Sequence, residues 1–200
     1  MSTTHDHPHD SAPVAARVRH VEALLEARGH LDPGEIDRRI DEFAAGGSPA
    51  HGAAIVARAW VDPNFRERLL ADGNAAIAEL GYSMGSALQD QKLTVMANGG
   101  DEHHVVVCTL CSCYPIALLG PSPGWYKSEA YRSRVVRDPR GVLREFGLEL
   151  PGSTRITVWD ASAESRYMVL PRRPAGTEEM GERELAGLVT RKGLIGTALV

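Results

Sequence analysis

Three cysteines are the residues of this sequence best placed to do chemistry. Cys108, Cys111 and Cys113 are the only cysteines of the chain and fall within six residues, in the segment CTLCSC. An odd number of thiols packed this closely does not suit a disulfide framework. The first two form a CxxC pair, a spacing that zinc sites, redox pairs and iron–sulfur loops share. The cluster therefore predicts thiol chemistry without fixing its kind.

The second half of the cluster is more informative, because Cys111 and Cys113 flank one residue and so hold the amide nitrogens of Ser112 and Cys113 between their sulfurs. If both amides lose their protons, a metal can bind these two nitrogens and two sulfurs in one plane. Cys108 then supplies an axial sulfur and leaves the opposite position open for water or substrate. This anionic ligand set suits trivalent cobalt or iron better than Zn²⁺, and the ion would act as a Lewis acid that lowers the pKa of bound water.

Two other interpretations stay open on spacing alone. A Cys₃His zinc site could recruit His103 or His104 as its fourth ligand. A CxxC redox pair would instead place its nucleophilic cysteine near the start of a helix. The three interpretations carry equal weight until the surrounding sequence is considered.

Composition narrows the class of protein. The chain has 200 residues, of which 43% are hydrophobic and 24% charged, as is typical of one soluble globular domain with a possible extension. The formal net charge of −4 argues against nucleic-acid binding. No apolar run is long enough to span a bilayer, and the start MSTTHDHPHD does not resemble a signal peptide, so we expect a cytoplasmic protein.

Hydrophobic periodicity predicts an α+β fold, with helices in the first 80 residues and a small β-sheet that supports the cysteine loop. We expect a flexible tail over 1–13, a helical arm over 14–48 that packs on a partner subunit, and a metal-binding catalytic domain over 49–200. Strands are predicted at 92–97 and 103–107, joined by the turn signal Asn98-Gly99-Gly100, and again at 156–159 and 167–170. Later helices are predicted at 125–136, after Asp138-Pro139, and near 182–189.

The segment VVVCTLCSCYP, followed by GWYKSEAYRSRVVRDPRGVLREFG and ITVWDASAESRYMVLPRRPAGTE, resembles the α subunit of nitrile hydratase. The resemblance covers roughly residues 50–196. It implies hydration of a nitrile to an amide, with sulfur ligands from Cys108, Cys111 and Cys113 and nitrogen ligands from Ser112 and Cys113. Thr109 matches the cobalt branch of the family, whereas the iron branch usually has Ser, so non-corrin Co³⁺ is expected ahead of Fe³⁺.

The resemblance also implies modified cysteines and partner proteins. Cys111 is expected as a sulfinic acid and Cys113 as a sulfenic acid, with their oxygens held by arginines of a β subunit, either as one chain or split into two chains. An accessory protein is expected to insert the metal. The nucleophile is either metal-activated water or the Cys113 sulfenate, with Ser112 beside it in the catalytic loop.

Several charged residues could support the loop from outside it. Asp160, Glu164 and Arg166 lie between and beside two predicted strands, where they could orient the loop together with Thr109. Surface salt bridging is the alternative. A basic run is interpreted as subunit interface and loop support: Arg132, Arg134, Arg137, Arg140 and Arg144.

The sequence departs from the family directly after the motif. Where the family commonly has Trp-Pro after Tyr114-Pro115, this chain has Ile116-Ala117. A smaller side chain near the metal should widen the substrate pocket, which favours a bulky or heteroaromatic nitrile such as toyocamycin, unless the β subunit refills the space. The closest rival is the catalytic subunit of thiocyanate hydrolase, which resembles this chain in the same motif. A zinc-binding or redox-sensing module is the rival from another class.

Overall fold

The computed structural model describes residues 12–84, 91–111 and 113–200, and the chain divides into two compact units, 1–43 and 44–200. The first unit holds α1 (Ala12–Ala27) and most of α2 (Glu35–Ala45). No residue of α1 is buried, and three valines of its apolar stripe, Val14, Val18 and Val21, are 61%, 59% and 55% exposed. Helix α1 already includes the last two residues of the predicted tail, and the rest of that tail lies outside the described residues.

The second unit begins with three consecutive helices, α3 (Pro49–Val61), α4 (Pro63–Ala71) and α5 (Gly73–Glu79). Each is capped by the side chain of the residue before it: Ser48, Asp62 and Asp72 accept hydrogen bonds from backbone N–H groups of the first turn. Proline at the first position of α3 and α4 fixes a helical φ where no N–H is needed. The predicted helical character of this region is confirmed.

Within the described ranges, four strands form two separate parallel pairs. They are β1 (Lys92–Ala97), β2 (Glu102–Val107), β3 (Arg155–Asp160) and β4 (Ser165–Leu170). β1 pairs with β4, and β2 pairs with β3 so that Val107 lies opposite Asp160. Both β2 and β4 are buried along most of their length, as is usual for parallel strands covered on both faces.

The segment Asn98-Gly99-Gly100 connects β1 to β2, as predicted, but these two strands do not pair with each other, because each pairs with a strand much later in the chain. Asn98 links the two strand pairs through its hydrogen bonds. Its N–H continues the β1–β4 ladder by bonding to Leu170 O at 2.9 Å. Its Oδ1 accepts the N–H of His104, in β2, at 2.8 Å.

The remaining helices are short and surround the strands. They are α6 (Ile116–Leu119), α7 (Gly124–Lys127), α8 (Glu129–Val135), α9 (Pro139–Glu145), α10 (Glu182–Leu188) and α11 (Arg191–Ile195). The helix predicted over 125–136 is broken at Ser128, which is extended and caps α8 by accepting the Tyr131 N–H at 3.2 Å. Among the described residues, no helix is both long and apolar enough to cross a bilayer.

Candidate metal centre

The cysteine loop begins where the buried strand β2 ends. Val107 is the last residue of β2, and Cys108 directly after it is 0% exposed. The ladder to β3 extends one step further, because Ala161 N–H donates to Val107 O at 2.7 Å. The first cysteine is therefore fixed by the sheet, whereas Cys113 is half-buried and Cys111 exposed.

The three thiols converge on one point. Cys108 Sγ lies 3.3 Å from Cys111 Sγ, which lies 3.2 Å from Cys113 Sγ, and all three sulfurs are within 4.8 Å of one another. The Cys111 N–H also donates to Cys108 Sγ at 3.4 Å, which curls the loop back on itself. Ser112, the predicted nitrogen ligand, lies outside the described residues.

These distances test whether the thiols fit a metal. Two sulfurs bound to one ion at about 2.3 Å lie about 3.3 Å apart at a right angle and about 3.8 Å apart at a tetrahedral angle. The observed separations match the right angle. They fit the planar or octahedral donor set better than tetrahedral zinc.

Electrostatics also favour a bound cation. Burial raises the pKa of the Cys113 thiol to about 12, and the hydrogen bond with Cys111 acts in the same direction, against the nearby charge of Arg166. Three sulfurs this close repel one another as thiolates, so the thiolate form that binds metals needs a compensating positive ion.

The two histidines considered as zinc ligands are engaged elsewhere. His103 Nε2 donates to Gly196 O at 2.7 Å, and its Nδ1 accepts from Asn98 at 3.1 Å. His104 Nδ1 accepts the Trp159 indole N–H at 3.1 Å. Burial lowers the pKa of both imidazoles. Among the described residues, the metal-ligand cluster contains the three cysteines and no histidine.

Asp160 holds the start of the loop. It ends β3 opposite Val107, and its carboxylate accepts two hydrogen bonds from Thr109, one from the backbone N–H at 2.8 Å and one from Oγ1 at 2.5 Å. Parallel pairing of β2 with β3 thus places a carboxylate directly beside the residue that follows Cys108.

Two residues of the α7–α8 region hold the carbonyl side of the loop. Arg132 Nη1 donates to Thr109 O at 3.2 Å and to Cys111 O at 3.4 Å. The buried Tyr126 hydroxyl donates to Cys113 O at 3.0 Å. The sequence placed Arg132 in a basic run interpreted as subunit interface and loop support, but it did not identify the carbonyl oxygens that Arg132 and Tyr126 reach, because periodicity does not reveal such distant contacts.

Glu164 directly precedes β4 and Arg166 is its second residue, and both side chains bond locally. The exposed Glu164 carboxylate accepts from Ser162 Oγ at 2.9 Å. The buried Arg166 guanidinium donates to the carbonyl oxygens of Ser162, Ala163 and Ser165. Arg166 acts on the cysteines through its charge, which opposes the raised pKa of Cys113.

Ile116 and Ala117 are half-buried at the start of α6, three and four residues beyond Cys113. His51 Nδ1 donates to Ala117 O at 2.8 Å and so ties this turn to α3. The Ile116 carbonyl packs against Gly47 so closely that a Cβ there would lie 2.2 Å from its oxygen.

The fold and the converging thiols define a metal-binding subunit of the thiolate type, and comparison with known proteins supplies the family. Residues 12–198 match the family described as nitrile hydratase, alpha chain. The α subunit of the low-molecular-weight cobalt-containing nitrile hydratase of Rhodococcus rhodochrous is 49% identical over 192 residues, which cover 96% of this chain and 91% of that one. The γ subunit of Thiobacillus thioparus thiocyanate hydrolase is 45% identical over 159 residues, or 76% of this chain and 65% of that one.

Among solved structures, a double mutant of the Fe-type nitrile hydratase from Comamonas testosteroni Ni1 superimposes with a TM-score of 0.87 at 41% identity, covering 96% of this chain and 92% of that chain. The chain therefore belongs to the nitrile hydratase α-chain family, as the cysteine motif predicted, and is an enzyme subunit of the hydro-lyase class. Cobalt-containing and Fe-type relatives both occur, so membership supports a metal cofactor without choosing between the two metals.

Proposed function

We propose that this chain, paired with a β subunit, hydrates a nitrile to the corresponding amide at a non-corrin Co³⁺ centre. The convergence of three sulfurs, with Cys111 Sγ at a right-angle separation from each of the other two, in a chain 49% identical to a cobalt-containing α subunit, is the observation that carries the proposal. Thr109, which matches the cobalt branch, supports cobalt over iron.

Five donor atoms of the loop would hold the metal: the sulfurs of Cys108, Cys111 and Cys113 and the amide nitrogens of Ser112 and Cys113. When bound, a trivalent ion would supply Lewis-acid activation of water and substrate. In the overall reaction, the oxygen of water joins the nitrile carbon, both of its hydrogens end on nitrogen, and no net oxidation occurs.

The protein contributes orientation and a polar sulfur oxygen. The exposure of Cys111 and partial exposure of Cys113 are compatible with oxidation to sulfinic and sulfenic acid, respectively. A Cys113 sulfenate would either accept a proton from the water that attacks the nitrile carbon or attack that carbon itself. In the second case water then replaces the sulfenate oxygen on the carbon, which releases the amide and restores the sulfenate. Asp160, Arg132 and Tyr126 would keep the loop in place during the reaction.

The partner subunit would complete the site. The exposed cysteine oxygens need positive partners once covered, which arginines of a β subunit would supply. The exposed valines of α1 offer an apolar face to that subunit. We further propose a cytoplasmic location and a metal-insertion accessory protein.

For the substrate, we propose a bulky nitrile. Ile116 occupies a position where the family commonly has Trp, only three residues from Cys113. Ile116→Trp should shift the preference from aromatic nitriles such as benzonitrile toward small aliphatic ones, measured as the ratio of kcat/KM values. A parent enzyme that already prefers acrylonitrile strongly would contradict the proposal.

The decisive experiment uses the chain coexpressed with its β partner in cobalt-supplemented medium. About one cobalt per chain, oxygen added at Cys111 and Cys113 by peptide mass spectrometry, and amide formation from a nitrile are expected. Cys113→Ser should abolish the activity, whereas Ser133→Ala, an exposed change on α8, should not. Zinc bound to three unmodified cysteines, without hydration activity, would support a structural or redox module instead.

Thiocyanate hydrolysis is the second candidate, favoured by 45% identity to the Thiobacillus thioparus γ subunit. Thiocyanate is therefore included as a substrate in the same assay. Release of ammonia and carbonyl sulfide from thiocyanate, with negligible amide formation from nitriles, would replace the first proposal by this one.

A further inference from the structure

A cation contacts the outer side of the cysteine loop. Arg132 Nη1 reaches two carbonyl oxygens, those of Thr109 at 3.2 Å and Cys111 at 3.4 Å. Both contacts come from one nitrogen, so the guanidinium bridges two points of the loop. Arg134, two residues later on α8, does not share this role, because it forms an ion pair with Glu145 on the surface.

The charge of Arg132 is not neutralised locally. Among the described residues, no carboxylate lies within ion-pair distance of its guanidinium, whereas Arg134 has one at 2.5 Å. The Nε atom of Arg132 is buried without a hydrogen-bond partner within the described part of the chain. A half-buried guanidinium that lacks an acidic partner is costly unless nearby negative charge offsets it. The proposed anionic donor set lies in the loop whose carbonyl oxygens Arg132 contacts, and so supplies negative charge of that kind.

One of the two carbonyl contacts has a direct chemical meaning. The Cys111 carbonyl belongs to the peptide bond whose nitrogen is that of Ser112, one of the proposed ligands. An amide that binds a metal through a deprotonated nitrogen carries part of its negative charge on its carbonyl oxygen. A guanidinium that donates to this oxygen stabilises that charge by a charge-assisted hydrogen bond.

We infer that Arg132 is a positioning residue of the metal centre, which favours metal binding through the Cys111–Ser112 amide by placing a positive charge on its carbonyl oxygen. The inference rests on the proposed cobalt function and extends it to a residue outside the loop. Tyr126, which donates to Cys113 O, is the neutral counterpart on the same side.

The test compares three variants in the complex with the β partner. Arg132→Gln keeps a hydrogen-bond donor but removes the charge, Arg132→Lys keeps a charge, and Arg134→Gln removes a charge from the same helix without touching the loop. Cobalt per chain is measured over a series of cobalt concentrations in the medium. Absorption and circular dichroism of the cobalt bands are recorded per bound cobalt.

In Arg132→Gln, half-loading should require about tenfold more cobalt, the factor expected from losing one charge-assisted hydrogen bond. The cobalt that does bind should show bands shifted to shorter wavelength, because an amide oxygen without its positive partner leaves more electron density on the nitrogen, which raises the ligand field. Arg132→Lys should restore most of both properties, and Arg134→Gln should match the parent. A purely structural role would lower loading but would leave the spectrum per cobalt unchanged.

The inference is overturned if Arg132→Gln loads and absorbs like Arg134→Gln, or if folded Arg132→Lys resembles Arg132→Gln. If Arg132→Gln does not fold, Arg132→Lys decides: parent-like loading and spectrum support the charge, and poor loading of the folded variant refutes it. A parent complex that takes up no cobalt refutes the proposed function and this inference together. A loaded parent with an indifferent Arg132→Gln refutes only the inference.

Discussion

Removing the carboxylate of Asp160 should loosen the start of the cysteine loop by an amount that follows from its two hydrogen bonds. The carboxylate accepts the Thr109 N–H at 2.8 Å and the Thr109 hydroxyl at 2.5 Å. Hydrogen bonds to charged groups contribute roughly 1.5–3 kcal/mol each, and the exposure of this pair places them at the lower end. Asp160→Ala should therefore lower the free energy of unfolding by about 2–3 kcal/mol, and Thr109→Val, which keeps the backbone bond, by about 1 kcal/mol.

A double-mutant cycle isolates the side-chain bond. Urea unfolding of the parent, Asp160→Ala, Thr109→Val and the double variant should give a coupling energy of about 1 kcal/mol. Hydrogen exchange of the loop amides should accelerate in Asp160→Ala and remain near the parent rate in Thr109→Val. Asp101→Ala is the matched control, because Asp101 is an exposed aspartate at the opposite end of the β2–β3 pair. A coupling within the roughly 0.3–0.5 kcal/mol seen for independent sites would refute the clamp.

Three further outcomes follow from contacts described above. Tyr126→Phe should lower the free energy of unfolding by about 1–3 kcal/mol, because it leaves the Cys113 carbonyl without its donor, and it should also reduce cobalt loading. The control is Tyr131→Phe, which removes a buried hydroxyl bonded to a β2 carbonyl at 2.7 Å. It should lower the free energy of unfolding by a similar amount without reducing cobalt loading. Because burial lowers the pKa of His103, protonation of this imidazole favours the unfolded state. The urea midpoint should therefore fall as pH drops below about 6.5, and it should fall less steeply in His103→Gln. An equal pH dependence in the two proteins would contradict this. Gly196→Ala should lower the midpoint of thermal unfolding strongly, because the φ of Gly196 is +88° and the new Cβ would lie 1.9 Å from His104 O. Gly99→Ala should have little effect, because nothing lies within 4 Å of a Cβ at that position. Similar midpoints for the two variants would argue against the contact.

Local signals predicted the elements well. Asp62-Pro63 and Asp138-Pro139 marked helix starts that the structure confirms, because capping and the fixed φ of proline act within one turn. β1 was predicted with its observed bounds, Lys92–Ala97. The helix break at Ser128 was missed, although serine is a favoured N-cap, since the apolar spacing on either side continued through it.

Which strands pair with each other could not be predicted from such local signals. A turn signal after β1 indicates a change of direction, but it does not identify the strand that completes the ladder, which here comes from beyond residue 160. The three cysteines lie within six residues, and their clustering could be predicted from the sequence. Arg132 reaches the same loop from 21 residues away, and only the fold reveals that contact.

Parallel pairing also dictates when the metal loop can form during synthesis. The residue that clamps Thr109 is 51 positions later in the chain, on a strand that must lie beside β2 before its carboxylate is in place. During synthesis the three thiols are therefore made before Asp160, the residue that holds the start of their loop. In that interval the incompletely folded chain leaves the thiols accessible to oxidation. Under the proposed function, loading of the metal would therefore be a late event of maturation, which follows the arrival of β3 instead of guiding it.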